Sequence, residues 1–263
     1  MVKIATWNIN SVRLRLPIVL KLLETWQPDI LCLQETKCPD EFFPYEDIRA
    51  AGYKHIHVHG MKSYNGVAII SKLPFTDTCV HHRVGREDCR HVAAQFDGFE
   101  VHNLYIPAGG DEPDVNINDK YAHKLDFVDE MARWFADNYT AKDKLVAVGD
   151  FNIAPFEHDV WSHKQLLNVV SHTPDETIRL EKMLGSLDWT DAARKFIPME
   201  EKTYTWWSYR NKDWKASNRG RRLDHLWVTP PLAKDLSAYE TFPEARDWEK
   251  PSDHIPCMIT LDV

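Results

Sequence analysis

The chain has 263 residues, of which 43% are hydrophobic and 27% charged, and this composition excludes a disordered or low-complexity protein. Its 40 acidic residues outnumber its 32 basic residues, and the net charge of −8 weighs against a protein that coats nucleic acid non-specifically. No secretory leader begins the sequence, no apolar run approaches the roughly 20 residues of a membrane-spanning helix, and the cysteines show no zinc-binding spacing. We therefore expect a cytoplasmic protein with reduced thiols and no contact with membranes.

Short apolar runs alternate along the chain with amphipathic segments. The predicted strands, in chain order, are residues 3–7, 29–33, 66–71, 91–96, 101–106, 145–148, 225–228 and 257–261. The predicted helices are residues 13–26, 119–138 and, more briefly, 177–184. Closely spaced runs such as 91–96 and 101–106 are typical of antiparallel hairpins. The pattern predicts an α+β protein with mixed β-sheet, outer helices and one domain that covers residues 1–263.

Polar residues terminate or precede five of these apolar runs, and strand ends can meet at one rim of a sheet. The residues are Asn8, Glu35, Asp150, Asn152, Asp224, Asp253 and His254. Each alone is explained equally well by a turn or a helix cap. Together they form an oxygen-rich set without thiolates, which favours Mg²⁺ or Mn²⁺ over zinc. Carboxylates around a hard cation beside a histidine suit phosphoryl transfer.

A basic and aromatic segment lies between two of these groups. Its cations are Arg210, Lys212, Lys215, Arg219, Arg221 and Arg222, interleaved with Trp206, Trp207, Tyr209 and Trp214. In an acidic protein this pattern favours a nucleic-acid contact, because cations bind phosphates while aromatic rings stack or wedge. The alternative is a solvated basic loop.

Eight blocks of the sequence resemble, in the same order, those of the exonuclease III-like endonucleases, and most of all the bacterial exodeoxyribonuclease III proteins. They are TWNINS (6–11), LQETK (33–37), YNGVA (64–68), NLYIP (103–107), GDFN (149–152), TWW (205–207), RLD (222–224) and SDHIP (252–256). The resemblance implies a DNase I-like fold, a four-layered sandwich of two mixed β-sheets flanked by helices. It also implies incision of duplex DNA 5′ to abasic sites and removal of nucleotides or blocking groups from 3′ ends, with Mg²⁺ or a substituting Mn²⁺. A monomer is the default expectation.

The resemblance also implies roles for individual residues. The catalytic residues would be Tyr105, Asp150, Asn152, Asp224 and His254, and the metal would be held by Asn8, Glu35, Asp150, Asn152, Asp253 and His254. The DNA contacts would be Arg210, Lys212, Lys215, Arg219, Arg221, Trp206, Trp207 and Leu223. Which of Asp150, His254 and Tyr105 moves the proton stays open.

The same fold supports other activities, namely phosphoinositide phosphatases, sphingomyelinases, secreted DNase I-like nucleases and DNA-binding proteins without catalysis. A secreted enzyme should show a leader and disulfides, and neither is apparent in this sequence. A non-catalytic protein is disfavoured because each catalytic position carries a chemically competent residue.

One position departs from the family pattern. The residue before Arg222-Leu223-Asp224 is usually large and apolar in these enzymes, and with Trp206 and Leu223 it would line a pocket for a flipped-out abasic sugar. Here it is Arg221, and an unpaired guanidinium is poorly suited to a dry apolar wall. We expect Arg221 to turn outward to a phosphate or to stack on Trp206 or a base. We therefore expect a wider or wetter pocket and substantial exonuclease activity beside abasic incision.

Overall fold

The computed structural model describes residues 1–210 and 213–263, whose backbone forms two six-stranded sheets that pack face to face. The first sheet contains, in spatial order, β11 (Leu236–Thr241), β12 (Cys257–Leu261), β1 (Val2–Asn8), β2 (Ile30–Gln34), β4 (Val67–Ser71) and β3 (His55–His59). The second contains β5 (Asp77–Arg83), β6 (Arg86–Phe96), β7 (Phe99–Tyr105), β8 (Leu145–Asp150), β10 (Asp224–Val228) and β9 (Thr190–Asp191).

Eight α-helices occur in the described residues. They are α1 (Leu16–Thr25), α2 (Tyr45–Ala50), α3 (Asp119–Asn138), α4 (His163–Leu166), α5 (Pro174–Gly185), α6 (Ala192–Phe196), α7 (Trp214–Ser217) and α8 (Pro230–Ala233). Helices α1 and α2 cover the outer face of the first sheet, and α3 and α5 cover that of the second. The side chain of Asn118 accepts hydrogen bonds from the first turn of α3, and Thr173 with Glu176 forms a capping box that begins α5. None of the helices in the described residues is long and apolar enough to cross a bilayer.

The layers follow from where the apolar side chains point. Ile4, Cys32, Val92 and Val148 belong to the core between the two sheets. Neighbouring residues on the same strands point outward and pack under α1 and α2 or under α3 and α5. Interior strands are thus buried on both faces, which explains why they appear in the sequence as continuous apolar runs. The predicted fold class, two mixed sheets flanked by helices, is confirmed.

Each sheet has one parallel pair at its centre, and these two pairs position the site. β1 runs parallel to β2, with α1 between them in the chain, and β7 runs parallel to β8, with α3 between them. All other paired strands within the described residues are antiparallel. The carboxyl ends of these four strands lie at the same rim of the sandwich, where Asn8 at the end of β1 is hydrogen-bonded to Asp150 at the end of β8.

The eight strands predicted from the sequence are the eight interior strands, and helix 119–138 is confirmed at both ends. The four strands that were not predicted, β3, β5, β9 and β11, are the four sheet edges. An edge strand exposes one side to solvent and carries polar residues, so it lacks an apolar run.

Candidate active site

Four side chains from four strand ends meet at the rim. Asn8 ends β1, Glu35 follows β2, Tyr105 ends β7 and Asp150 ends β8. The Asn8 amide nitrogen donates to Glu35 at 3.0 Å and to Asp150 at 2.8 Å, and the Tyr105 hydroxyl donates to Glu35 at 2.8 Å. Hydrogen bonds from both sheets thus converge on two carboxylates.

Glu35 is held in a left-handed backbone conformation, with φ of 51°, immediately after β2. Its second carboxylate oxygen lies 2.6 Å from the Lys37 ammonium. Burial alone would raise the pKa of Glu35, but the charge of Lys37 and the hydrogen bonds from Asn8 and Tyr105 outweigh it and lower the pKa below its usual value. Glu35 is therefore a stable carboxylate at neutral pH.

Asp150 is buried, and both of its carboxylate oxygens accept hydrogen bonds. Beside the bond from Asn8, it accepts hydrogen bonds from the backbone and the side-chain amide of Asn152, at 2.9 and 3.1 Å. Burial raises its pKa; His254 opposes this rise, and the nearby carboxylates of Asp224 and Glu35 add to it. A carboxyl group with a raised pKa beside a cluster of donors is suited to accept a proton.

Asp224 and His254 form a buried pair on the far side of Asp150. Asp224 begins β10 directly opposite Asp150 in the sheet register, and its Oδ2 lies 2.8 Å from His254 Nδ1. His254 Nε2 points toward Asp150 at 3.7 Å. Burial would lower the pKa of His254, but Asp224 and Asp150 together raise it above its ordinary value. The imidazole is therefore held protonated and oriented.

Asp253 lies at the edge of this group. It accepts hydrogen bonds from the Trp206 indole at 2.9 Å and from the Asn10 amide at 3.2 Å. Asn10 in turn accepts from Lys37 at 2.7 Å, which connects Asp253 to Glu35 through two intermediate side chains. These contacts, with the charge of His254, hold the pKa of Asp253 low despite burial.

Two of these groupings could in principle hold a cation. Atoms of Asp150, Asp224 and His254 lie within 4.8 Å of one another, but Nδ1 of His254 is already engaged by Asp224. Glu35 and Asp150 fit better, because both are carboxylates and their mutual repulsion contributes to the raised pKa of Asp150. Asn8 presents its amide nitrogen to both, so in this arrangement it donates hydrogen bonds and does not offer a ligand oxygen.

The predicted DNA-binding residues are only partly exposed. Arg210, Lys215 and Arg219 are exposed, whereas Lys212 lies outside the described residues. The structure places Trp207 and Leu223 in the core, at 5% and 4% exposure, where neither side chain can reach DNA without rearrangement. Their apolar surface packs in two buried clusters beside the site.

Arg222, counted with the basic segment in the sequence, is fully buried. It forms ion pairs at 2.8 Å with both Asp159 and Asp191. Its guanidinium is thus used to anchor the start of β10, next to Asp224, and does not contribute to a basic surface.

Arg221 stacks on Trp206, one of the two predicted alternatives. The two residues pair through their backbones, and the guanidinium carbon lies 5.3 Å from the centre of the indole ring. Its Nη1 donates to the Val170 carbonyl at 3.0 Å and to the Ser171 hydroxyl at 2.6 Å. The side chain thus spans from Trp206 to Ser171 and is paired within the chain, while the wider or wetter pocket stays a prediction.

The sequence reasoning missed several residues at this rim. Asn10 and Lys37 flank predicted residues in the motifs, but no chemistry was assigned to them. A cleft of about 570 Å³ opens beside Tyr105. Its lining includes the cations Arg86, Arg90 and Lys120 and the carboxylates of Asp88 and Asp119. Arg90 lies over the Tyr105 ring at 4.8 Å. A cleft of similar volume, about 590 Å³, lies between α1 and α2, away from these residues.

Known proteins resemble this chain in sequence and in fold. Residues 5–254 match the model of the Endonuclease/Exonuclease/phosphatase family. The chain is 29% identical to an exodeoxyribonuclease III from Haemophilus influenzae, over 97% of each chain. An AP endonuclease structure from Archaeoglobus fulgidus is 36% identical over 100% of both chains, with a TM-score of 0.93. The 3′ phosphatase NExo from Neisseria, solved with a product DNA hairpin, is 31% identical over 100% of both chains, with a TM-score of 0.91.

Proposed function

The chain belongs to the endonuclease/exonuclease/phosphatase family, and from that premise we propose that it incises duplex DNA 5′ to abasic sites and trims nucleotides or blocking groups from 3′ ends, with Mg²⁺. It is a hydrolytic nuclease of the DNA repair type. The observation that supports the chemistry best is the convergence of Asn8, Glu35, Tyr105 and Asp150 from four strand ends. We also propose that residues 1–263 act as one domain and as a monomer.

Glu35 and Asp150 are the groups that would hold Mg²⁺, with Mn²⁺ as a substitute. When bound, the cation would supply positive charge that offsets the negative charge of the scissile phosphate. The amides of Asn8 and Asn152 hold these two carboxylates by hydrogen bonds. Asp253 is linked to them through Asn10 and Lys37 and would contribute further negative charge near the cation.

Asp150 would accept the proton of the attacking water. Its raised pKa makes it a better base than an exposed carboxylate, and Asn152 fixes both of its oxygens. Both N–H groups of the Asn152 side chain are engaged, by Asp150 and by the Ile106 carbonyl, so Asn152 would act on the water or the phosphate through the Asp150 carboxylate that it orients.

His254 and Tyr105 would donate hydrogen bonds to the phosphate from two sides. Asp224 keeps His254 protonated and fixes its ring, as in other Asp–His pairs. Burial, together with Glu35 and Asp150, raises the pKa of Tyr105 well above its ordinary value. Tyr105 therefore keeps its proton and can donate it toward the leaving oxygen.

Duplex DNA would be held by exposed cations on either side of these groups. Arg210, Lys215 and Arg219 lie on the segment near Trp206, and Arg86 and Lys120 lie on the cleft beside Tyr105. The location of Arg221 supports a bias toward 3′ ends over abasic sites, because a terminal nucleotide needs no pocket for an extruded sugar.

The proposal is tested with three labelled duplexes, one with an internal abasic site, one blunt and undamaged, and one with a 3′-phosphate. Cleavage is expected with Mg²⁺ or Mn²⁺, and none is expected after chelation. Glu35→Gln should retain the fold and lose most of the activity, because one ligand charge is removed while the shape stays. Full activity with chelator, or near-normal activity of Glu35→Gln at low millimolar Mg²⁺, would overturn the proposed function.

A further inference from the structure

A wholly buried ion pair lies behind the rim, between α3 and α5. The Lys124 ammonium is 2.5 Å from Glu176, and both side chains are 0% exposed. Removing two charges from water is costly, and an apolar pair of similar volume is often equally stable. The other hydrogen bonds of Lys124 and Glu176 therefore indicate which part of the structure the pair stabilises.

Those hydrogen bonds go to loops that surround the site. Lys124 Nζ donates to the Asn152 carbonyl at 2.8 Å and to the Ala108 carbonyl at 3.2 Å. Ala108 lies on the loop after β7, three residues beyond Tyr105, and Asn152 lies two residues beyond the end of β8. One ammonium thus joins the loops that leave the two parallel strands of the second sheet.

Glu176 holds a third loop in the same way. Its carboxylate accepts from the backbone nitrogen of Ser171 at 2.9 Å and from that of Thr173 at 3.1 Å. Ser171 is also the residue whose hydroxyl accepts from Arg221. The ion pair therefore fixes the segment against which Arg221 rests.

Asn152 is the site residue that depends most directly on the hydrogen bond from Lys124. Its backbone is in the left-handed conformation, with φ of 54°. An asparagine pays a modest energetic cost for this conformation, and the surrounding contacts hold it there. Its side-chain amide bonds Asp150 at 3.1 Å and the Ile106 carbonyl at 2.9 Å. A rotation of the Asn152 peptide would move this amide away from Asp150.

We propose that Lys124 is a positioning residue of the active site, which fixes the Asn152 carbonyl and thereby holds the Asn152 amide on Asp150. This inference rests on the proposed function. Lys124 touches neither Asp150 nor Glu35 among its hydrogen bonds, so it acts through Asn152.

The decisive variant is Lys124→Met with Glu176→Gln. Lys124→Met alone leaves a buried carboxylate unpaired and destabilises the fold. Glu176→Gln removes that charge and keeps a carbonyl oxygen for the Ser171 nitrogen. The matched control is Asp129→Asn with Arg179→Gln, because this pair also joins α3 to α5, at 3.0 Å, but at the surface and without contact to the site loops.

The measurement is single-turnover cleavage of pre-bound abasic duplex, started with Mg²⁺. Unfolded molecules lower the amplitude and leave the rate constant unchanged. We expect the rate constant of the Lys124→Met/Glu176→Gln variant to fall about 30- to 100-fold, with DNA affinity within about threefold of wild type. The control pair should cleave at the wild-type rate. In an Asn152→Ala background, the same two substitutions should cost less than about threefold.

A double variant that cleaves at the wild-type rate would overturn the inference, as would a full further loss in the Asn152→Ala background. A double variant that yields no folded protein would show that the pair serves the fold alone, and would overturn it as well. If the wild-type protein itself cleaves none of the duplexes, the proposed function fails, which is a distinguishable result.

Discussion

Replacing Arg221 by leucine should shift the enzyme toward abasic DNA. In the structure the Arg221 side chain spans from the Trp206 ring to Val170 and Ser171, beside the apolar residue Leu223. An extruded sugar that enters this space must displace the guanidinium. A leucine makes none of these polar contacts and restores the apolar character that the family shows at this position.

The size of the shift follows from the contacts that must be broken. Two hydrogen bonds at about 1 kcal/mol each and one cation–π contact at about 0.5–1 kcal/mol make the displacement cost about 2.5–3 kcal/mol. At about 1.4 kcal/mol per factor of ten, the ratio of abasic incision to 3′ trimming should rise about 60- to 140-fold. Stability should change little, because Arg221 Nε is buried without a partner among the described residues and its removal offsets the lost bonds.

The assay compares initial rates on an abasic duplex and on a blunt duplex of the same sequence. Arg219→Leu is the control, because Arg219 is a neighbouring exposed cation that lies over Trp161 and leaves the Trp206 wall untouched. It should lower both rates together, through weaker phosphate binding. An unchanged ratio for Arg221→Leu, or an equal shift for Arg219→Leu, would refute the reasoning.

Three further predictions concern the proton path and the buried histidines. Asp150→Asn should slow cleavage about 10²- to 10⁴-fold with equal or tighter DNA binding by anisotropy, and a parallel loss of binding would contradict its role as a base. Asp224→Asn combined with His254→Asn should be at most about threefold slower than the slower single variant, whereas additive losses would show independent roles. Burial holds the pKa of His91 and His102 well below the ordinary value, so the unfolded chain binds more protons once the pH falls below about 6.5. The stability present above that pH should be lost on acidification, by up to about 1.4 kcal/mol per pH unit for each histidine. Urea unfolding at pH 7, 6 and 5 should show a free energy of unfolding that falls with pH, and His102→Gln should make this fall smaller. An unaltered pH dependence in the variant would contradict the reasoning.

The interior of the fold was predictable because interior strands are buried on both faces. The edge strands were not, because a segment such as Asp77–Arg83 is largely exposed and has few apolar residues, and such a composition also fits a loop. His55–His59 alternates polar with apolar residues, but this signal is only five residues long. Only the pairing partner, which sequence reasoning does not supply, makes them strands.

The candidate site was predictable where a polar residue ends an apolar run, as at Glu35, Asp150 and Asp224. Lys124 could not be found in this way, because a lysine on an amphipathic helix is ordinarily a solvated cation. Its burial depends on Glu176, which is distant in sequence. Likewise, Trp207 and Arg222 fit a DNA-binding segment by composition, and only the packing shows that both are buried.

The residues of the site come from two separate sheets, and this determines how activity is lost on denaturation. Asn8 and Glu35 belong to one sheet and Tyr105 and Asp150 to the other, and side-chain hydrogen bonds join them across the gap. An expanded state can keep its helices and strands while the packing between sheets loosens. Such a state would retain its far-UV circular dichroism and lose turnover. Catalysis therefore depends on the alignment of the two sheets. It should be lost under milder denaturing conditions than the secondary structure.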